Sequence, residues 1–286
     1  MQLSDYDLSH RIDAELLANH RLTPASSPDD VRELSLQIND SDFIYQAGQS
    51  IAVLVPGPHD FGNSYHVRLY TIADPPPKHP SGHPTINICV KRCDYIDEYS
   101  GERYKGVASN YLCDRQVGNH IEIAGPYGLP FAIPEEHDAN LLLIGMGTGI
   151  APFRAMVKTI YENYSNWTGK VRLFYGARTG LETVYMNDER DDFANYYDRG
   201  TFAAFKALSP RPQWDAEVSL GDAIKQQGEE IWSMLCDYRT YVYIAGLDRV
   251  RETLELAFIH LAGSKEKWEQ RKAELVAGHR WAELIY

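Results

Sequence analysis

Gly145-Met146-Gly147-Thr148-Gly149-Ile150-Ala151-Pro152 follows the continuous apolar run Leu141–Ile144 and leads into a stretch that Pro152 can open as a helix. A buried strand, a glycine turn and a helix, in that order, predict one crossover of a parallel α/β sheet. Glycines let a phosphate approach the backbone, and the helix N-terminus behind them adds unpaired N–H groups and a positive dipole end. The same turn also serves as a plain strand-to-helix connection. It lacks the G-x-G-x-x-G spacing of ordinary dinucleotide folds, so alone it names no ligand.

The rest of the C-terminal half keeps this rhythm. Apolar runs at Val171–Tyr175, Phe202–Leu208 and Tyr241–Ile244 alternate with amphipathic stretches at Pro152–Tyr164, Gly221–Leu235 and Arg249–Leu261. Upstream the pattern is different. Short β-type runs at Arg32–Ile38, Ser50–Val55, Tyr65–Ala73, Thr85–Lys91 and Gly118–Ala124 are punctuated by Pro56-Gly57-Pro58, Asp74-Pro75-Pro76-Pro77 and Gly125-Pro126-Tyr127-Gly128. Such spacing predicts an antiparallel barrel or sandwich, with Pro75–His83 as an exposed loop. The expected organisation is two domains, an antiparallel β-barrel over 1–136 and a parallel-sheet α/β domain over 137–286.

Composition narrows the function. Of 286 residues, 44% are hydrophobic and 24% charged, as in a globular protein with a sizeable core. Forty acidic against 28 basic residues give a formal charge of −12, which argues against nucleic acid as the main partner. A local basic patch for an acidic protein remains compatible with that balance. Met1–His20 has no apolar run and no later stretch reaches the ~20 apolar residues of a membrane span, so a cytoplasmic protein without membrane insertion is expected. Cys89, Cys93, Cys113 and Cys236 form no CxxC pair and read as reduced thiols, with no metal site.

Two further stretches carry candidate chemistry. In Arg68-Leu69-Tyr70-Thr71, strand alternation puts Arg68 and Tyr70 on one face and Leu69 and Thr71 on the other. Lys105-Gly106-Val107-Ala108-Ser109-Asn110-Tyr111-Leu112 reads as a loop entering a short helix capped by Ser109. Taken singly, the first is an ordinary solvated pair and the second an ordinary cap.

Together these stretches carry a resemblance over nearly the whole chain. Arg68-x-Tyr70-Thr71, Cys89-Val90-Lys91 with Tyr95, Gly106-Val107-x-Ser109-x-x-Leu112, Gly147–Arg154, Tyr243-Ile244-x-Gly246-Leu247 and Tyr286 stand in the order found in plant-type ferredoxin–NADP⁺ reductases. The chain resembles a member without a fused ferredoxin or transit peptide. The resemblance implies an FAD site formed by Arg68, Leu69, Tyr70, Thr71, Cys89, Val90, Lys91, Tyr95, Gly106, Val107, Ala108, Ser109 and Tyr286. In it Arg68 pairs with the pyrophosphate, where a guanidinium fork meets two phosphate oxygens. Tyr70 and Tyr286 cover opposite faces of the flavin ring, Tyr95 contacts the adenosine part, and Thr71 replaces the usual serine beside flavin N5. Thr71 and Tyr286 are the implied catalytic residues, and Tyr286 must swing aside for the nicotinamide. The implied NADP(H) site comprises Gly147, Thr148, Gly176, Ala177, Arg178, Ser209, Arg211, Gly246 and Leu247. Electrons would pass between NADP(H) and a one-electron carrier, ferredoxin or a flavodoxin-like protein.

The chain departs from the family pattern in places. Ala245 stands where a cysteine is usual, and Leu284 where a glutamate precedes the final tyrosine by two positions. Both changes remove polar groups near the nicotinamide, which predicts slower hydride transfer or a preferred direction of flow. In Lys206-Ala207-Leu208-Ser209-Pro210-Arg211 a proline separates the serine and arginine that read the 2′-phosphate, and Val218-Ser219 stands near where the family's later tyrosine is expected. NADPH is favoured, with NADH possible. Lys91, Arg92, Arg103, Lys105 and Arg115 are candidates for a basic rim that meets the carrier. Two rival readings are an NADH-dependent reductase component of a multicomponent oxygenase and a non-catalytic flavin-binding subunit or redox sensor.

Overall fold

The computed structural model describes residues 6–57, 62–78, 82–97, 99–128, 131–164, 166–210 and 218–285. The chain forms two units, Met1–Leu129 and Pro130–Tyr286.

The first unit is a six-stranded antiparallel sheet in the order β4-β3-β8-β1-β2-β5. Its strands are β1 (Arg11–Arg21), β2 (Val31–Ile38), β3 (Ser50–Pro56), β4 (Tyr65–Thr71), β5 (Thr85–Lys91) and β8 (His120–Tyr127). An antiparallel bridge between Ile72 and Ile88 joins the two outer strands, so the sheet closes on itself. Alternation builds the interior: Ile12, Ala14 and Leu16 of β1 meet Leu34, Leu36 and Ile38 of β2 and Ile51 and Val53 of β3, all buried. The other face of β3, Ala52 and Leu54, is covered by Leu8, Tyr65 and Leu69. A separate hairpin of β6 (Asp94–Ile96) and β7 (Arg103–Lys105) and the short helix α1 (Val107–Cys113) sit between β5 and β8 in the chain.

The second unit is a five-stranded, wholly parallel sheet in the order β11-β10-β9-β12-β13. The strands are β9 (Asn140–Met146), β10 (Val171–Ala177), β11 (Phe202–Leu208), β12 (Thr240–Gly246) and β13 (Trp281–Ile285). β9 and β10 are buried throughout, as strands covered on both faces must be. The crossovers carry α2 (Ile150–Asn163), α3 (Leu220–Gln226), α4 (Gly228–Cys236), α5 (Arg249–Ala262) and α6 (Lys265–Ala277). Chain order runs outward from β9 through β10 and β11, then returns to β12 on the other side. The crevice at the C-terminal ends of β9 and β12 is therefore the topological switch point where α/β sheets bind ligands. Phe131 packs on Phe153 and Tyr243, and the Tyr243 hydroxyl donates to the Ala132 carbonyl at 2.7 Å, so these residues belong with the second unit.

Candidate functional site

In the first unit β4 carries the central group. Arg68 is exposed; its Nη1 donates to the Val67 carbonyl at 2.9 Å, and it pairs with no carboxylate among the described residues. Tyr70 points the other way from Leu69, half-buried against the barrel core, and burial holds its phenol well above the ordinary value. Its ring is thus a neutral, fixed apolar surface. Thr71 ends the strand, and its Oγ1 accepts a hydrogen bond from the buried Ser50 hydroxyl at 3.1 Å.

The end of β5 and the start of α1 lie beside each other in the same unit. Cys89 and Val90 are buried, so what they offer a ligand is backbone. Lys91 is bonded to Asp29 at 2.5 Å. Tyr95 of the hairpin is exposed and stacked on Tyr104 with ring centres 5.7 Å apart, a ready aromatic platform. The helix cap differs from expectation. Gly106 is the N-cap of α1, and Ser109 lies inside the helix. The Ser109 hydroxyl instead accepts from the Cys93 N–H at 3.1 Å, tying the loop to the end of β5. A side chain at Gly106 would sit 2.8 Å from the Cys93 carbonyl oxygen, so only glycine fits there. No side chain caps α1 and no acidic residue occupies its first turn, which leaves the N–H groups around Val107 and Ala108 to a ligand. An exposed arginine with no counter-ion among the described residues, uncapped amides and two aromatic surfaces fit the phosphates, adenine and ring of FAD. Burial raises both the Cys93 and Cys113 thiols, the latter to about 11, so neither is a reactive thiolate.

In the second unit the glycine turn sits at the switch point. Gly147–Gly149 makes one tight turn, Gly149 caps α2 without a side-chain bond, and the first turn of α2 has no acidic residue. A Cβ on Gly149 would lie 2.3 Å from the Ala245 carbonyl oxygen, so the turn is pressed directly onto β12. Tyr175, fully buried on β10, donates its hydroxyl proton to the Gly147 carbonyl at 2.9 Å and fixes the turn from below. That tyrosine gave no signal in the sequence beyond an apolar strand. Behind the helix, buried Arg154 bonds Asp192 at 2.5 Å, and Arg190 bonds the same carboxylate at 2.7 Å. Burial pushes the Asp192 carboxyl up, but the two guanidiniums outweigh it and hold it below its ordinary value.

The remaining predicted residues spread along the strand ends. Gly176 and Ala177 end β10, and Arg178 follows, bonded to Glu182 at 2.9 Å. Ser209 is buried after β11, with its N–H on the Arg178 carbonyl at 3.2 Å, while Lys206 is exposed. Gly246 ends β12, and Leu247 is exposed beside it. Arg211 and Tyr286 lie outside the described residues. Thr148 sits in the turn itself.

The two departures from the resembled pattern meet in the sheet, because Ala245 and Leu284 are register partners across β12 and β13. Glu283 does not stand in for the missing carboxylate. Its Oε2 accepts from Arg251 at 2.7 Å and its Oε1 from the Trp281 ring N–H at 2.7 Å. Of the expected basic rim, three residues are paired with carboxylates, while Lys105 is exposed. Lys91 pairs with Asp29, Arg92 with Asp30 and Asp114, and Arg103 with Asp94, while Arg115 lies over the Tyr111 ring. A cavity of about 250 Å³ lined by Asp138, Lys170 and Arg239 opens at the N-terminal edge of the parallel sheet, the end away from the glycine turn.

Comparison with known proteins matches residues 23–131 to the oxidoreductase FAD-binding domain and residues 143–255 to the oxidoreductase NAD-binding domain. A ferredoxin–NADP reductase of Spirulina sp. is 30% identical over 273 residues, covering 93% of this chain and 92% of the relative. The ferredoxin–NADP reductase of Synechocystis sp. is 32% identical over 275 residues, of which this chain spans 65% of the relative's length. The solved ferredoxin–NADP⁺ reductase of Plasmodium falciparum shares the fold, with a TM-score of 0.71 over 98% of both chains at 20% identity.

Proposed function

Because this chain belongs to the ferredoxin–NADP reductase family of oxidoreductases, we propose that it exchanges electrons between NADP(H) and a ferredoxin or flavodoxin-like carrier. When bound, FAD supplies the redox chemistry, taking up two electrons as a hydride and passing them on one at a time. The chain's part is to bind, orient and stack.

On this reading Arg68 and the open N–H groups before Ala108 hold the pyrophosphate, Tyr95 receives the adenine, and Tyr70 presents its ring to the flavin. Thr71 offers a hydroxyl to N5; Tyr286, which the resemblance assigns to the other ring face, lies outside the described residues. In the second unit the turn Gly147–Gly149 and the N-terminus of α2 hold the nucleotide's phosphates, with Gly246 and Leu247 alongside. Lys206, Ser209 and Arg211 meet the 2′-phosphate; Arg178 is partly neutralised by Glu182 and contributes less. The observation that carries the reading is β4, where an arginine that pairs with no carboxylate among the described residues, a neutral half-buried tyrosine and an anchored hydroxyl lie within four consecutive positions.

The reading has a direct test. The purified protein is expected to be yellow, or to become so on adding FAD, and to be bleached anaerobically by NADPH in preference to NADH. A protein that stays colourless overturns the proposal. Bleaching by NADH with equal kcat/KM restores the oxygenase-type reductase, and failure of both nucleotides favours a non-catalytic flavin protein. No helix among the described residues is long and apolar enough to cross a membrane. The four free cysteines suit action in the reducing cytoplasm.

A further inference from the structure

The Ser50–Thr71 hydroxyl pair has a defined polarity. Ser50 Oγ–H donates to Thr71 Oγ1 at 3.1 Å, and the two residues are register partners at the start of β3 and the end of β4. Ser50 is buried, so its hydroxyl has little water to turn toward. The β3–β8 ladder shifts register between Ser50 and Ala52, an irregularity of the kind that re-aims a single side chain beside a site. Thr71 Oγ1 already accepts one hydrogen bond, and among the described residues its own proton has no acceptor.

We infer that Ser50 is a positioning residue of the redox reaction: it fixes the Thr71 hydroxyl as a donor aimed out of the barrel toward flavin N5. This rests on the reading of Thr71 given above. A lone hydroxyl rotates and spends only part of its time as a donor in the required direction. One lone pair engaged by Ser50 removes the rotamers in which Thr71 would donate back into the protein. With FAD bound, the remaining proton would be available to the acceptor lone pair of N5.

A double-mutant cycle with Ser50→Ala and Thr71→Val tests this on the FAD-loaded protein. Two readouts are taken: the rate of anaerobic reduction by NADPH, and the ¹⁵N NMR shift of N5 in protein reconstituted with labelled FAD. Ser50→Ala is expected to slow reduction about three- to tenfold, the worth of one hydrogen bond. It should also move the N5 resonance downfield, as Thr71→Val does, and add nothing in the double variant. Unchanged rate and resonance in Ser50→Ala, with both altered in Thr71→Val, would overturn the role of Ser50 alone. Additive losses would overturn it too, since they mean Ser50 acts other than through Thr71. An N5 resonance indifferent to Thr71→Val would overturn the placement of Thr71 and the proposal with it. Should Ser50→Ala fail to fold, Ser50→Cys, a weaker donor of similar shape, gives the same cycle.

Discussion

Ala245 on β12 and Leu284 on β13 are register partners across two parallel strands, so the two apolar replacements are neighbours in the sheet rather than two separate losses. Neither strand offers a substitute carboxylate, since Glu283 is engaged by Arg251 and Trp281. Leu284→Glu is therefore expected to speed flavin reduction by NADPH at least about threefold, and more when combined with Ala245→Cys. Stopped-flow reduction checks this, and equal rates in parent and variants would show the pair to be irrelevant to hydride transfer.

On the proposed reading Tyr70 acts through its ring and not its hydroxyl, which burial keeps protonated. Tyr70→Phe should leave FAD affinity unchanged within a factor of two or so, whereas Tyr70→Ala should weaken it about tenfold or more. Fluorescence titration of the apoprotein with FAD measures both, and a large loss in the phenylalanine variant would contradict the stacking role.

Gly149 is where the glycine turn touches β12, with space for no Cβ against the Ala245 carbonyl. Gly149→Ala should cost about 2 kcal/mol of stability by overpacking and raise the KM for NADPH. Thermal unfolding and steady-state kinetics on the same sample decide it. A variant as stable as the parent would mean the contact yields easily.

The paired cations change what salt should do to carrier exchange. With Lys91, Arg92 and Arg103 already matched to Asp29, Asp30, Asp114 and Asp94, electron transfer to an acidic ferredoxin should slow only weakly as ionic strength rises. Asp29→Asn releases Lys91 and should raise the low-salt association rate about two- to threefold. A steep salt dependence in the unaltered protein would restore the basic-rim expectation.

Glu230 on α4 bonds Arg172 and Lys170, and chiefly through Arg172 its pKa falls to about 2. A folded-state value below the unfolded one makes the pair stabilising at neutral pH, with that contribution lost as pH drops through about 4.5 toward 2. Because these groups are partly in water, the stabilisation is about 1–2 kcal/mol. Glu230→Gln should lower the Tm at pH 7 and leave it nearly unchanged near pH 2, as read by calorimetry.

Much of the molecule was legible in the sequence because it rests on short-range pattern. The strands β9 and β10, buried throughout, and the edge strand β11 declare themselves as apolar runs, β5 shows as a short β-type run, and the glycine turn lies where a strand meets a helix. β1 was missed because a register shift between Leu16 and Ala18 breaks its alternation. β13 is five half-buried residues at a sheet edge, and α6 buries only Trp268 and Leu275, so neither shows a clear period. The stretch read as one helix over Gly221–Leu235 is two, parted at Gln227. Within the site, Arg68, Tyr70 and Gly149 were readable as types in a pattern. Ser50 and Tyr175 were not, since a hydroxyl that acts on another residue far along the chain leaves no local mark.

The placement of β11 has a corollary for dinucleotide preference. Lys206 and Ser209 belong to an outermost strand and the bend after it, whereas the glycine turn is wedged among the central strands β9, β10 and β12. On the proposed reading, replacing the exposed Lys206 should therefore shift dinucleotide preference while leaving the packing around the glycine turn undisturbed.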